Sequence, residues 1–375
     1  MRTFTNLALL SVAFALVFMS TRADAVPPGA IFNRGDVIVK PMFGGEILGY
    51  DIDPNGSEGV FSESLALPGG QNLAATETFD QSTGKIIKVV AMTRGLDDFA
   101  TQGVFGHHVG LVLHQHAGQN KFRTMDPLNS NGFTGDWTPP LKPNYGLWTI
   151  SRSQGTRNVA AYEVDGNLDI YVFGSNIEAN TFGPPIHFKR DEFIGNFPLL
   201  AYDSKTNQAI LSGSIGCRTC APVVATVDLM TGKMAKFTGL GLGSVDGIAV
   251  DPATNTLCTT TLIDGGVEFY DLTKQTGFEV EIPNGSELDA GLDVEFDPIH
   301  DVFLVEQYSS TGNPSNPQPR IYVYDEKGNV QETIAVQRLP ISPSLIALNP
   351  QKRIGFISEI VEPQHMFLAI QSFNY

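Results

Sequence analysis

The chain repeats one short phrase four times, as FPLLAYD at residues 197–203, GIAVDP at 247–252, LDVEFDP at 292–298 and LIALNP at 345–350. Each copy is an apolar run that ends in an acidic or amide turn residue. These turn residues are Asp203, Asp251, Asp297 and Asn349, at intervals of 48, 46 and 52 positions. A period near 48 residues with strand-like content is typical of β-propeller blades, which are four-stranded sheets that bury their faces by stacking on their neighbours.

The rest of the chain has the same character. Helical periodicity is nearly absent, and short apolar runs alternate with Gly, Pro, Asn and Asp. We therefore predict an all-β fold, a β-propeller of six or seven four-stranded blades. Comparable units begin near Asn72, Asn158, Asn196, Asp246, Gly291 and Ser344. Because the last unit is incomplete, N- and C-terminal strands are predicted to share one blade and so to close the ring.

The N-terminal residues have the pattern of a secretory signal. Arg2 precedes an apolar stretch over residues 7–19, which is followed by Ala23 and Ala25 in the small-x-small form that signal peptidase cuts. The stretch is shorter than the roughly 20 residues that a membrane span needs. We predict a signal peptide over 1–25, a single propeller domain over 26–375, and a secreted protein, or a periplasmic one in a Gram-negative host.

Charge and motifs limit the function classes. The formal net charge of -16 disfavours nucleic acids and anionic membranes as partners, and it favours solubility and the binding of cations. The expected partner is a small-molecule ligand or substrate. The sequence has no Gly-x-Ser-x-Gly elbow, no phosphate-binding glycine loop and no nucleotide fingerprint, so no nucleotide cofactor is expected.

The three cysteines cannot all pair with one another in an oxidising compartment. Cys217 and Cys220 lie in a Gly-rich connection between two predicted strands, and we predict a local disulfide between them. Cys258 is then either a buried strand thiol or the true partner of one of them. Asn55 and Asn284 begin Asn-Gly-Ser sequons in predicted turns, and they are predicted glycosylation sites in a host that glycosylates.

Oxygen-bearing side chains head several of the predicted units. In a propeller the inner strands begin at one mouth of the central channel, so residues just before them point at a shared cavity. These residues are Asn72, Asn158, Asn196 and Asp246. Amide and carboxylate oxygens that converge on an axis are the ligands that calcium prefers, so we predict a Ca²⁺ site there. The competing interpretation is that each residue only caps a turn by bonding to its own backbone.

The residues VDGIAVD at 245–251, GGV at 265–267 and YDLTK at 270–274 resemble the regucalcin/gluconolactonase-like (SMP-30) propellers. In that family the Asp-Gly phrase supplies a metal-binding acid, here Asp246. An Asn heads the preceding blade, a place that Asn196 takes 50 positions before Asp246. Another Asn comes from an earlier blade, which Asn158 matches, and the fourth ligand is a Glu, in whose place this chain has Asn72.

This resemblance implies calcium-dependent hydrolysis of a lactone, an ester or a similar oxygenated compound. Asp246 would then also be the general base, orienting a water against a carbonyl that the ion polarises. The amide of Asn72 in place of the family's carboxylate removes one negative charge from the site and is expected to weaken binding of a divalent ion.

Four of the seven histidines lie in the stretch HHVGLVLHQH at residues 107–116. On a strand His108, His114 and His116 share a face, while His107 lies on the other. His114 and His116 suit zinc or copper together with a third ligand, although no nearby Cys or Glu completes a metalloenzyme motif. The competing interpretation is a channel-lining or surface cluster, in which a channel-facing histidine would act as a proton shuttle.

Three functions therefore stay open. The leading hypothesis is a secreted, metal-dependent hydrolase with its site at the channel mouth. The first alternative is a non-catalytic secreted binding or scaffold propeller, in which the same residues only cap turns. The second is an isomerase or cyclase that uses the same channel, with His108 or His114 as the acid.

Overall fold

The computed structural model of the chain describes residues 34–95, 99–106, 109–116, 119–126, 132–139, 143–164, 170–189, 199–214, 222–237, 245–261, 266–280, 289–309, 320–335, 345–362 and 367–375. These residues form strands, turns and loops, and none of them lies in a helix. They accordingly include no helix that is long and apolar enough to cross a membrane. The strands are numbered β1 to β29 in chain order.

The described strands form seven antiparallel sheets, which we number as blades 1 to 7. Blade 1 consists of β2 (Glu46–Ile52), β3 (Glu58–Leu67), β4 (Gln71–Asp80) and β5 (Ile86–Gly95). Blade 2 consists of β6 (Phe99–Phe105), β7 (Gly110–His116), β8 (Gln119–Met125) and β9 (Phe133–Trp137). Blade 3 consists of β10 (Pro143–Ile150), β11 (Arg157–Val164), β12 (Ile170–Asn176), and the short strands β13 (Thr181–Phe182) and β14 (Ile186–Phe188), which both pair with β12.

The second half of the chain supplies the other four blades. Blade 4 consists of β15 (Leu199–Asp203), β16 (Gln208–Ser214), β17 (Pro222–Asp228) and β18 (Met234–Phe237). Blade 5 consists of β19 (Val245–Asp251), β20 (Thr256–Thr261), β21 (Val267–Asp271) and β22 (Thr276–Val280). Blade 6 consists of β23 (Asp289–Asp297), β24 (Val302–Ser309), β25 (Arg320–Tyr324) and β26 (Val330–Ala335). Blade 7 consists of β27 (Ala347–Asn349), β28 (Ile354–Glu362), β29 (Phe367–Asn374) and β1 (Arg34–Val39).

Blade 7 joins the two ends of the described chain. Its strand order is β27-β28-β29-β1, and β1 pairs antiparallel with β29 through partners such as Val39 and Ile370. The prediction that N- and C-terminal strands close the ring is confirmed. The blade count, which the sequence left at six or seven, is seven among the described sheets.

The core lies between the blades. The buried apolar residues fall into seven clusters, and each cluster is shared by two neighbouring blades. At the junction of blades 7 and 1, for example, Tyr50 and Phe61 pack with Phe356 and Ile370. Each sheet therefore buries both of its faces only because it stacks on two others, which is why the period of the repeats predicts a ring.

The first strand of each blade lies on the central channel. β2, β6, β10, β15, β19, β23 and β27 each contact the first strands of both neighbouring blades. All seven run in the same direction because every blade has the same antiparallel order. We call the end at which they begin the upper mouth of the channel, and the end at which they finish the lower mouth.

Acid-capped turns cover the lower face of the ring. After the first strand of blade 5, Asp251 accepts hydrogen bonds from the amides of Ala253 (2.7 Å) and Thr254 (3.2 Å), and Asn255 follows with a positive φ of 63°. Asp203 and Asp297 cap the same turn in blades 4 and 6. Identical caps also follow third strands, at Asp80, Asp228 and Asp271.

This double use of one turn explains one of the two predicted units that were placed wrongly. An apolar run that ends in a capping Asp marks either the first or the third strand of a blade, and local sequence does not tell the two apart. The unit that begins near Asn72 and ends at Asp80 is β4, the third strand of blade 1. The unit that begins near Asn158 is β11, the second strand of blade 3. Neither is an inner strand, contrary to the prediction.

Candidate functional site

The predicted calcium ligands do not all occupy the positions expected of them. Asp246 lies at the start of β19, an inner strand, and a register shift between Val245 and Gly247 marks a bulge at this point. The side chain of Asp246 and the whole of Asn196 lie outside the described residues. Of the four predicted ligands, Asp246 is the one that the described residues place at the start of an inner strand, and it therefore lies at the upper mouth.

Asn158 and Asn72 are elsewhere. Asn158 is buried in β11, where its side-chain oxygen accepts a hydrogen bond from the hydroxyl of Ser175 on the neighbouring strand. Since β11 starts where β10 ends, Asn158 lies toward the lower mouth, at the opposite end from Asp246. Asn72 pairs with Ala66 and Gly95 at the upper end of β4, two strands away from the channel. The structure does not bring these two residues together with Asp246.

The histidine stretch is divided between described and undescribed residues. His114 is buried on β7, the second strand of blade 2, and its ring meets the edge of Phe133 with centroids 5.9 Å apart. It therefore packs within its blade rather than on the channel wall. His107 and His108 lie outside the described residues, as does the side chain of His116.

In the part of the chain that the structure describes, no group of three or more His, Cys, Asp or Glu side chains is arranged to hold a metal ion. The Asn side chains of the predicted calcium site are not among these four residue types.

The structure describes one of the three cysteines and one of the two predicted glycosylation sites. Cys258 is a free thiol buried in β20, and burial raises its pKa well above the ordinary value. Cys217, Cys220 and Asn284 lie outside the described residues. Asn55 is exposed in the turn between β2 and β3, where its side-chain oxygen accepts a hydrogen bond from Gln351 of blade 7 (3.1 Å).

Among the described residues, the side chain of Arg152 reaches across the channel. It follows β10 by two residues, and the chain is fixed there because Ser151 and Val159 exchange hydrogen bonds of 2.9 Å. From blade 3 the guanidinium reaches three other blades. Its Nη1 lies 3.1 Å from Asp51 Oδ1 of blade 1, and its Nε lies 3.0 Å from Glu295 Oε2 of blade 6.

Backbone carbonyls take the other donors of this arginine. Nη1 donates to the carbonyl of Tyr50 at 3.1 Å, and Nη2 donates to the carbonyl of Ile346, just before β27 in blade 7. All three nitrogens therefore bind acceptors of the protein itself. A guanidinium has five N–H groups, and this set occupies most of them.

Three carboxyl groups surround this cation. Asp51 also accepts a hydrogen bond from the amide of Phe105 (2.8 Å), and Asp293 accepts one from the amide of Ile346 (2.6 Å). We call Arg152, Asp51, Asp293 and Glu295 the channel cluster. With every group ionised its charge would be -2, in a site where desolvation makes such an excess expensive.

The pKa values reflect that cost. Burial raises the pKa of Glu295 to about 8 and that of Asp293 to about 6, although Arg152 opposes both shifts. Burial likewise raises the pKa of Asp51. Burial disfavours the charged form of Arg152, but the three carboxylates outweigh it and raise its pKa. At pH 7 the cluster therefore holds a proton on Glu295 and keeps the arginine charged.

The repeats contain a signal for this cluster. When the copies are aligned on their turn residues, the position two before the turn is Ala201, Ala249 and Ala347 in three blades, but Asp51 and Glu295 in blades 1 and 6. Asp293, two residues before Glu295, shares its face of the strand. Acids at positions where the other copies place alanine were visible in the sequence, whereas their partner Arg152 belongs to no repeated phrase.

The comparisons with known proteins agree with the architecture. No family model matches the chain, and no curated protein matches it. Among solved structures, the chain is similar to one from a structure titled "Crystal Structure of Mitotic Checkpoint Complex", with a TM-score of 0.60 and 15% sequence identity over 96% of this chain and 97% of that one. At that identity the likeness shows the fold alone: a seven-bladed β-propeller.

Proposed function

We propose that this chain is a secreted binding or scaffold propeller, in which the channel residues connect the blades rather than catalyse a reaction. The observation that supports this most is the donor set of Arg152, which is directed at protein acceptors from blades 1, 6 and 7. A guanidinium that recognises a substrate keeps donors available for it. Here the side chain of Arg152, in blade 3, connects its own blade to blades 1, 6 and 7.

Secretion is the second part of the proposal. It is supported by the signal-like residues 1–25 and by the exposed position of Asn55, which begins a sequon in a surface turn. The test is expression of the full chain in a glycosylating eukaryotic host. We expect protein in the medium that begins near Val26 and loses mass with a glycosidase. Asn55→Gln is expected to remove part of that loss, with Asn55→Asp as a second variant that also lacks the acceptor amide. Full-length protein inside the cells would contradict secretion.

A metal-dependent hydrolase of a lactone or ester is the second candidate, and one observation favours it. Gly247, next to Asp246, is so close to β23 that a Cβ on it would lie 2.8 Å from Asp293 Cα. Asp246 thus begins an inner strand beside another that carries an acid. An acid at the start of one inner strand, next to an inner strand with a second acid, supports a calcium site in the channel, and the resemblance over residues 245–274 points the same way.

Titration calorimetry with Ca²⁺ on the mature protein separates the two candidates. The scaffold proposal expects no saturable heat from either the wild type or Asp246→Ala. Saturable heat in the wild type that disappears in Asp246→Ala, but persists in the turn variant Asp251→Asn, would replace the scaffold proposal with the hydrolase. Elemental analysis of the purified protein provides an independent readout of any resident calcium or zinc.

A further inference from the structure

Two buried glutamates lie side by side in blade 1, away from the channel cluster. Glu63 on β3 and Glu77 on β4 are both fully buried. Glu63 pairs with Ala75, and Phe61 pairs with Glu77, so the two carboxyl groups are diagonal neighbours on one face of the sheet. That face also carries Phe61 and Phe79, which pack against blade 7. The acids therefore lie at the junction where the ring is closed.

A short loop covers them. Residues 40–45 connect β1, the outer strand of blade 7, to β2, the inner strand of blade 1. Three of its amides donate to the glutamates: Met42 to Glu77 Oε2 (3.2 Å), Phe43 to Glu63 Oε1 (3.2 Å) and Gly45 to Glu63 Oε2 (2.8 Å). A Cβ on Gly45 would lie 2.7 Å from the carbonyl oxygen of Ser64, so only glycine allows this approach.

The pair retains a proton. Three of its four carboxyl oxygens accept loop amides, and the fourth, Glu77 Oε1, is buried without a hydrogen-bond donor among the described residues. Burial and the neighbouring carboxylate both disfavour the ionised form of Glu77. Burial, followed by the charge of Glu63, raises the pKa of Glu77 to about 8, although the Met42 amide opposes the shift.

We propose that Glu63, Glu77 and the loop over residues 42–45 form a proton-operated latch that holds the closing strand β1 in the ring. With one proton on the pair, its single negative charge is satisfied by three amides and the loop is fixed. When that proton is lost, two negative charges face each other under the loop, and the connection between blades 7 and 1 opens. The latch does not depend on the proposed scaffold function.

The elements around the pair carry further ionisable residues. Within the described residues they are Arg34 and Asp36 on β1, Lys40 before the loop, Glu46, Tyr50 and Asp51 on β2, Glu58 on β3, Lys88 and Arg94 on β5, and Glu359 and Glu362 on β28. β4 itself adds Asp80 at its far end, and β6, β27 and β29 contribute no ionisable side chain. The charge that influences the pKa of Glu77 is that of Glu63.

The sign of the effect follows from the direction of the shift. The pKa of Glu77 in the folded chain, about 8, is above its ordinary value of 4.5, so the folded state binds this proton more tightly than the unfolded state does. The stabilisation is complete below pH 4.5 and is lost as the pH rises through 8. The latch is closed in neutral and acidic media and opens in alkaline ones.

Hydrogen exchange at pH 6 and pH 9, corrected for the intrinsic pH dependence of amide exchange, tests the latch. One pH unit above the pKa the doubly charged form exceeds the protonated form about tenfold. In the wild type we therefore expect the protection factors of the Met42, Phe43 and Gly45 amides to be about tenfold lower at pH 9 than at pH 6. Glu77→Gln, which retains the shape and removes the titration, should keep the same protection at both pH values.

Two further variants serve as a control and as a replacement for Glu77→Gln. Glu295→Gln removes the other acid with a pKa of about 8, in the channel, and must leave the loss at the loop intact. If Glu77→Gln does not fold, Glu63→Gln removes the same like-charge pair and gives the same expectation. Equal protection at both pH values in the wild type, or an equal loss in the glutamine variants, would overturn the proposal.

Discussion

Carboxylates in two regions of this ring act in different ways. At the lower face, Asp203 and Asp251 are buried, and each accepts hydrogen bonds from amides two and three residues further along the chain. In the channel, Asp51 and Glu295 reach Arg152, which is more than 100 positions away along the chain in both cases. The first group organises turns, and the second connects distant blades.

The comparison shows that one residue type supports either local or global order, depending on its partner. A turn acid is satisfied by backbone donors that its own segment provides, so each blade keeps its turn independently. A channel acid is satisfied only when the ring is closed. Removing a partner in the channel should therefore cost more free energy of unfolding than removing a turn cap.

The largest effect is expected for Arg152→Met. This variant keeps an unbranched apolar side chain but leaves Asp51, Asp293 and Glu295 in a largely buried site without their cation. Breaking a buried ion pair from one side typically costs about 3–5 kcal/mol. We expect a loss of that size in the free energy of unfolding by urea. The stability of Arg152→Lys, which keeps the charge but not the forked donors, should lie between those of the wild type and Arg152→Met. A loss below about 1 kcal/mol in Arg152→Met would show that Arg152 does not hold the blades together.

The next effect is a dependence of stability on pH. The folded pKa values of Glu295 and Glu77, about 8, and of Asp293, about 6, all lie above their ordinary values. The folded state thus holds protons that the unfolded state releases, so stability must fall as the pH rises. Between pH 5 and pH 9 we expect the free energy of unfolding to fall by at least about 2 kcal/mol.

Chemical denaturation at several pH values measures this slope. Glu295→Gln should flatten it in part, and Glu295→Gln combined with Glu77→Gln should flatten it further. Stability that is constant or increases from pH 5 to pH 9 would mean that these acids are ionised in the folded ring.

The smallest effect belongs to the turns. Asp251→Ala removes the acceptor for the amides of Ala253 and Thr254. Loss of such a cap typically costs about 1–2 kcal/mol. Asp251→Asn, which keeps one acceptor oxygen, should recover about half of that. If Asp251→Ala instead destabilises the protein as much as Arg152→Met does, the distinction between the two regions fails.

The sequence predicts the architecture well, for a physical reason. Each blade buries both faces only by stacking, so apolar runs and capped turns recur at a regular spacing through the second half of the chain. The first half is less regular. There the run that ends at Asp80 is a third strand, and the run from Asn158 is a second strand. Because the same turn follows first and third strands, local pattern alone assigns the run that ends at Asp80 to the wrong strand.

The channel cluster was not predicted from the sequence. Arg152 lies in the polar stretch SRSQGTR at residues 151–157, which looks like an ordinary connection. Its partners come from three other blades, and only the closed ring brings them together. The unusual acids Asp51 and Glu295 were detectable as exceptions to alanine in the repeats, but nothing in the local sequence identifies the cation between them.

The most direct test of the joint across the channel is a double-mutant cycle between Arg152→Met and Asp51→Asn, measured by urea unfolding at pH 7. The two residues lie on blades 3 and 1, and their side chains are 3.1 Å apart. If the arginine holds these blades together, the two changes should be coupled by about 2 kcal/mol. If their effects add to within about 0.5 kcal/mol, the ring is held by its apolar junctions alone and the channel cluster does not connect the blades.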